Sequence, residues 1–97
     1  MSQPKRSASV PVPNPKVLFT EIDDGTGVLL HLDTKFYYTL NAAGAIVWKA
    51  IAARTPTSVE AIAERLVREF RVEQAIAERD VAAILDELVG DGLALAP

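Results

Sequence analysis

The sequence predicts an α+β domain in which a three-stranded antiparallel sheet is followed by three helices. Two observations lead to this fold class. Three short β-like runs lie between residues 17 and 40, and after residue 40 the apolar residues recur at helical spacing. Strands that precede helices, without alternating with them, form an antiparallel sheet that carries the helices on one face. The 97 residues have room for one such domain.

The first sixteen residues are predicted to be a disordered tail. They hold four of the six prolines together with Ser, Gln and Asn, and their apolar residues follow neither a strand period nor a helix period. The basic pair Lys5 and Arg6 is more typical of a solvated tail than of a contact with a polyanion. We therefore expect the folded domain to span residues 17–97.

Three strands are predicted at residues 17–22, 28–33 and 36–40. The turn at residues 23–27 supplies two glycines for positive φ angles, and residues 33–35 make a short hairpin connection. The strands therefore form a meander.

The third strand contains two adjacent tyrosines, whose side chains must point to opposite faces. Leu40 leads directly into the first helix and is expected to be buried. Alternation then directs Phe36 and Tyr38 inward and Tyr37 and Thr39 outward.

Three helices follow. Asn41 is the predicted N-cap of the first, and a capping box at residues 57–60 opens the second. The third helix has begun by Glu78 and ends at residues 90–92. Trp48 is expected at the edge of the first helix's apolar face. The predicted apolar faces comprise Ala43, Ile46, Val47, Ala50 and Ile51; Val59, Ile62, Ala63, Leu66 and Phe70; and Val81, Ile84, Leu85 and Leu88.

The residues that carry catalytic chemistry in other proteins are missing or scattered. The chain has no cysteine, which excludes disulfides, thiolate catalysis and cysteine-based metal sites. Its one histidine, His31, alternates with Leu30 and Leu32 and is expected on the outer face of the sheet. We therefore predict neither a catalytic residue nor a metal or cofactor site, and expect that the protein is not an enzyme.

The charge is unevenly distributed. The net charge is -3, but residues 17–97 hold seven basic and 13 acidic residues, a net charge of -6. Such a domain is expected to be repelled by phosphate backbones, although the succession of helices leaves a winged-helix nucleic-acid-binding regulator as the alternative function. Neither a membrane span nor a secretory signal is evident, which favours a cytoplasmic location.

The third strand is an edge of the predicted meander, and two outcomes are open for it. If the third helix packs beside the edge, an extended peptide can add there as a fourth strand and contact Tyr37. Alternatively, the C-terminal run LALAP covers the edge, and Tyr37 pairs with His31 or Leu29 across the hairpin.

The run LLHLD-TKFYYTLN-AAGAIVWKAI, followed by TPTSVEAIAERLVREF and RDVAAILDELVGDGL, resembles the PqqD-like family, also called RiPP recognition elements. The resemblance covers nearly everything outside the tail. The residues that carry it are Tyr37, Tyr38, Leu40, Asn41, Gly44, Trp48, Asp80 and Val81.

This resemblance implies a winged-helix-like domain without catalytic activity or cofactor, a monomer or a homodimer. Such a protein binds the leader segment of a ribosomally made precursor peptide and presents it to a modifying enzyme. That enzyme is a radical-SAM protein in pyrroloquinoline quinone synthesis, or a leader protease and cyclase in lasso-peptide synthesis. The leader is expected to join the sheet along the third strand, against the last helix. The residues that the resemblance assigns to this contact are Phe36, Tyr37, Tyr38 and Thr39 on the strand and Arg79, Ala83, Asp86 and Glu87 on the helix.

Overall fold

The computed structural model describes residues 10–54 and 58–96. It confirms the predicted three-stranded antiparallel sheet and three helices, and adds a pair of two-residue strands. The elements in chain order are β1 (Val12–Pro13), β2 (Val17–Glu21), β3 (Gly27–His31), β4 (Tyr37–Leu40), α1 (Ala42–Ala53), α2 (Val59–Phe70), α3 (Gln74–Gly90) and β5 (Ala94–Leu95).

The main sheet has the strand order β2-β3-β4, and both pairings are antiparallel. Phe19, Leu29 and Tyr38 lie opposite one another across the three strands and pack with the core. Leu18, Leu30 and Tyr37 form the next row and point to the other face, since alternate strand residues face opposite sides. The meander predicted from the sequence therefore has the expected inner and outer tyrosines.

The turn between β2 and β3 is held by local hydrogen bonds. Gly25 adopts a φ of 90°, a conformation that side chains disfavour, and Ile22 N–H donates to the carbonyl of Thr26 at 2.8 Å. The hydroxyl and the backbone N–H of Thr26 both donate to the Asp24 carboxylate, at 2.6 and 3.0 Å. These bonds hold the pKa of Asp24 below its usual value.

The segment from residue 10 to residue 16 differs from the disordered tail expected there. Val12 pairs with Leu95 and Pro13 with Ala94, so the start of the described chain forms an antiparallel ladder with its end. The side-chain amide of Asn14 also donates to the carbonyl of Gly92 at 2.8 Å. Residues 1–9, the rest of the predicted tail, lie outside the described residues. Tertiary pairing orders residues 10–16, although their own pattern shows no period.

The helices enclose the core on one side of the sheet. The Asn41 side chain caps α1 by accepting from Gly44 N–H at 2.8 Å, as predicted. Ser58 caps α2 by accepting from Ala61 N–H, so the cap lies one residue after the Thr57 of the expected capping box, which is outside the described residues. Trp48, expected at the margin, is buried within the core. None of the described helices is long and apolar enough to cross a membrane.

His31 lies on the inner face of the sheet, and the expected outer position was wrong. Its side chain is buried, and it shares its face with the fully buried Leu29. Nδ1 accepts a hydrogen bond from Asp33 N–H at 3.2 Å, which satisfies one ring nitrogen. The run VLLHLD has apolar residues in both alternating sets, so its pattern did not show which set faces the core.

Candidate functional site

β4 is an edge strand of the main sheet, and no strand among the described residues pairs with its outer side. The C-terminal segment does not cover it, because Ala94 and Leu95 pair with β1 in a separate sheet. Tyr37 lies opposite Leu30, and not opposite His31 or Leu29. Both parts of the alternative interpretation of the edge are therefore contradicted.

The register of β4 shows which backbone groups face the open edge. His31 N–H donates to the carbonyl of Phe36 at 3.0 Å, so this pair is hydrogen-bonded across the hairpin. In an antiparallel ladder the hydrogen-bonded residues alternate, which turns the backbone groups of Tyr38 and Leu40 toward β3. The N–H and C=O groups of Tyr37 and Thr39 consequently point away from the sheet, where another strand can bind them.

A groove lies between β4 and α3, directly beside this edge. Its deeper part is a cavity of about 190 Å³. A second cavity, of about 300 Å³, shares Asn41, Ile84 and Glu87 with the first and extends the groove past Ala83 and Asp80. We call the two together the β4–α3 groove. Its lining residues are Tyr38, Thr39, Leu40, Asn41, Ala43, Gly44, Asp80, Ala83, Ile84, Glu87, Leu88, Asp91 and Leu93.

The groove combines apolar and acidic surfaces. Leu88 and Leu93 in its lining are buried, and each belongs to the core. Its charged lining residues are all carboxylates, namely Asp80, Glu87 and Asp91. Such a site suits an extended peptide with apolar side chains, and it favours cations over anions at its border.

Gly44 of α1 brings the helix backbone close to β4. A Cβ at this position would lie 3.3 Å from Asn41 Oδ1 and 3.3 Å from Leu40 Cδ2, tighter than ordinary contacts. The glycine therefore lets the first turn of α1 approach the end of β4 while Asn41 keeps its capping hydrogen bond. This close approach shapes one wall of the deeper cavity.

Four of the eight residues expected to contact the leader line this groove. They are Tyr38, Thr39, Ala83 and Glu87. Tyr37 is 70% exposed on the outer face of the sheet, beside the open edge.

The other three expected contact residues are exposed and lie outside the groove lining. Phe36, expected to point inward, is 64% exposed. It precedes β4 and follows Lys35, whose φ of 65° breaks the regular strand, so alternation does not extend back to it. Arg79 and Asp86 occupy a neighbouring flank of α3. A role in peptide binding for any of the eight residues stays a prediction.

The sequence carries a signal for the α3 wall of the groove. Asp80, Ile84, Glu87, Leu88 and Asp91 recur at the i, i+4, i+7, i+8 and i+11 spacing of one helix face. The apolar pattern places Ile84 and Leu88 in the core and the glycine-rich turn places Asp91 at the helix stop, whereas the structure brings all three to the groove lining. The observed wall is therefore rotated by about one residue from the expected one, a difference that depends on how α3 packs against its neighbours.

The described residues contain no group of three His, Cys, Asp or Glu side chains placed to hold a metal ion.

Comparison with known proteins gives two kinds of match. The profile of the family described as "Coenzyme PQQ synthesis protein D (PqqD)" matches residues 26–94. Among solved structures, "TbiB1 in Complex with the TbiA(beta) Leader Peptide" is 28% identical with a TM-score of 0.75, and the alignment covers 87% of this chain and 94% of that chain. "Lasso peptide synthetase B1 complexed with the leader peptide" is 31% identical with a TM-score of 0.75, covering 86% and 94% respectively. No curated protein matches the chain significantly. The family profile spans most of the chain, so the chain belongs to the PqqD family.

Proposed function

We propose that this protein is a non-catalytic adaptor that binds the leader segment of a ribosomally made precursor peptide and presents it to a modifying enzyme. The observation that carries the proposal is the open edge of β4 beside the β4–α3 groove. Both similar solved structures are named as complexes with leader peptides, which supports the same kind of ligand here.

The leader binds as a fourth strand of the main sheet. Its backbone pairs with the outward N–H and C=O groups of Tyr37 and Thr39. Leader side chains that lie opposite Tyr38 and Leu40 then point toward the helices and enter the groove, while those opposite Tyr37 flank its exposed ring. Backbone pairing contributes affinity for many sequences, and the groove selects among them.

The modifying enzyme is inferred from the same neighbours. One of them is named as a lasso peptide synthetase component, so a leader protease and cyclase are the favoured partners over a radical-SAM protein. The acidic border of the groove, formed by Glu87, Asp91 and Asp80, favours a leader with a lysine or arginine close to the paired segment.

Thr39→Pro tests the strand addition directly. Proline removes the Thr39 N–H, which faces the open edge, and leaves the β3–β4 hydrogen bonds of Tyr38 and Leu40 in place. The probe is a fluorescein-labelled synthetic peptide with the leader sequence of a candidate precursor, taken from short open reading frames that flank this protein's gene. Fluorescence anisotropy is expected to show binding that Thr39→Pro weakens by about tenfold or more, the equivalent of one lost hydrogen bond plus steric exclusion.

Thr39→Val is the matched control, because it keeps the N–H and changes only the side chain. It is expected to bind the leader within about twofold of the parent protein. Circular dichroism of both variants establishes that the sheet is retained. Equal leader affinity of a folded Thr39→Pro variant, or failure of the parent protein to bind the leader at all, would contradict the proposed function.

A further inference from the structure

We infer, building on the proposed function, that the leader extends beyond the segment paired with β4. It crosses the N-terminus of α1 and places an apolar side chain in an adjoining cavity against Phe70. The inference starts from a third cavity, of about 310 Å³, between the first turn of α1 and the end of α2. We call it the Phe70 cavity. Its lining residues are Asn41, Ala42, Ala43, Leu66, Phe70, Val72 and Asp80.

The Phe70 cavity is continuous with the β4–α3 groove. Asn41, Ala43 and Asp80 line both, so the two depressions share a border at the point where β4 ends and α1 begins. A strand added to β4 runs along this line, and one of its ends leaves the sheet at the shared border. A few further residues of extended chain then reach the Phe70 cavity.

The lining of the cavity is largely apolar, and the Phe70 side chain within it is partly exposed. Phe70 follows the apolar spacing of α2 and was expected in the core, but it is 40% exposed. It is the last residue of α2, and Arg71 follows in the left-handed conformation with a φ of 58°. The helix therefore ends before the Phe70 ring is fully covered. An apolar side chain of the leader would remove this surface from water, which is favourable.

The border between the groove and the cavity suits a crossing peptide backbone. Ala42 and Ala43 begin α1, so their N–H groups have no acceptor within the helix. The Asn41 side chain accepts a hydrogen bond from Gly44 N–H and not from these two N–H groups. No acidic residue lies in the first turn of the helix. Carbonyl groups of a leader that passes here can accept hydrogen bonds from these N–H groups, which the positive end of the helix dipole favours.

The occupant is thus the leader itself, with a branched aliphatic or aromatic residue a few positions outside its strand-forming segment. Asp80, the one charged side chain in the lining, disfavours an acidic residue at that position. This second contact adds specificity, because strand pairing alone does not distinguish leaders by side chain.

Two peptides and two variants test the inference. One labelled peptide is the complete leader of the candidate precursor that the parent protein binds in the preceding titration. The other is the shortest fragment of it that still protects the Tyr37 and Thr39 amides from hydrogen exchange. Phe70→Ala is expected to weaken binding of the complete leader by about fivefold and to leave the short fragment unaffected, since only the complete leader reaches the cavity. Phe70→Leu, which keeps an apolar side chain, is expected to restore most of the affinity.

Leu95→Ala is the matched control. Leu95 is 43% exposed, close to the exposure of Phe70, and lies in β5 outside the groove and the cavity. Its substitution is expected to leave the affinity for both peptides unchanged.

The outcomes separate the two proposals. If the parent protein binds the complete leader and Phe70→Ala binds it equally well, the second contact is refuted and the strand addition stands. Equal weakening of both peptides by a Phe70→Ala variant whose circular dichroism matches the parent protein also refutes it, because Phe70 then affects the strand-forming segment and not the residues beyond it. If the parent protein binds neither peptide, the proposed function fails and the inference fails with it.

Discussion

Gly27, the first residue of β3, is needed for space and not for its backbone conformation. The turn was expected to use two glycines with positive φ, but only Gly25 has one. Gly27 is buried, and a Cβ built on it would overlap the ring of Phe19, which packs on the core. Phe19 lies near Gly27 because β2 and β3 pair in antiparallel register, with Gly27 opposite Glu21.

Gly27→Ala is therefore expected to lower the free energy of unfolding by about 1 to 3 kcal/mol, the usual cost of overpacking. Gly90→Ala is the control. Gly90 lies in the last turn of α3 with open space around it, so alanine there is expected to be neutral or to stabilise by up to about 1 kcal/mol. Urea denaturation measures both. An unchanged midpoint for Gly27→Ala would show that the Phe19 ring moves aside without cost.

At the scale of elements, β1 and β5 join the two ends of the domain. Each has two residues, too few to be stable alone, so their pairing depends on other contacts. Asn14 supplies several of them. Its backbone N–H donates to the Leu93 carbonyl at 3.0 Å, its side chain donates to the Gly92 carbonyl, and its Oδ1 accepts from Lys16 N–H at 2.9 Å. Asn14 thus links the residues just before β2 to the turn that follows α3.

Asn14→Ala is expected to destabilise the fold by about 1 to 2 kcal/mol, because a partly buried side-chain bond to Gly92 and a local bond to Lys16 are both lost. Thr34→Ala serves as the comparison, since it removes one exposed local bond to Phe36 N–H and is expected to cost less than about 0.5 kcal/mol. Chemical denaturation gives both values. A loss for Asn14→Ala no larger than that for Thr34→Ala would show that β1 and β5 pair without help from Asn14.

At the scale of the whole molecule, the basic side chains that line cavities lie away from the open edge of β4. The β4–α3 groove and the Phe70 cavity have only carboxylates as charged lining residues. Lys49, Arg65 and Arg68 line a different cavity, of about 320 Å³, together with Glu69. Lys49 also forms an ion pair with Glu21 at 3.1 Å. The surface beside the open strand therefore repels phosphate and attracts cations.

This distribution predicts that the protein does not bind duplex DNA. Nucleic-acid affinity depends largely on neutralising phosphates with Lys and Arg, and the net charge of the chain is -3. In an anisotropy titration at low salt, labelled duplex DNA is expected to show no saturable binding, while the labelled leader in the same buffer serves as the positive control. Saturable DNA binding that weakens steeply with added salt would instead favour the winged-helix regulator.

The sequence by itself determined the features that depend on interactions between residues close together in the chain. Alternation directed Tyr38 inward and Tyr37 outward, Asn41 supplied a cap for α1, and the change of period after Leu40 separated sheet from helices. Each of these depends on neighbours a few residues away, and such interactions are the same in any fold that contains the element.

Only the tertiary structure decided the features that depend on distant partners. His31 is buried because the set of residues that includes Leu29 faces the helices. Val12–Pro13 is a strand because Ala94–Leu95 lies beside it. The packing rotation of α3 brings Ile84 and Asp91 to the groove in place of Arg79 and Asp86. The physical reason is the same in each case, since contacts between residues far apart in the chain choose among local alternatives of nearly equal energy.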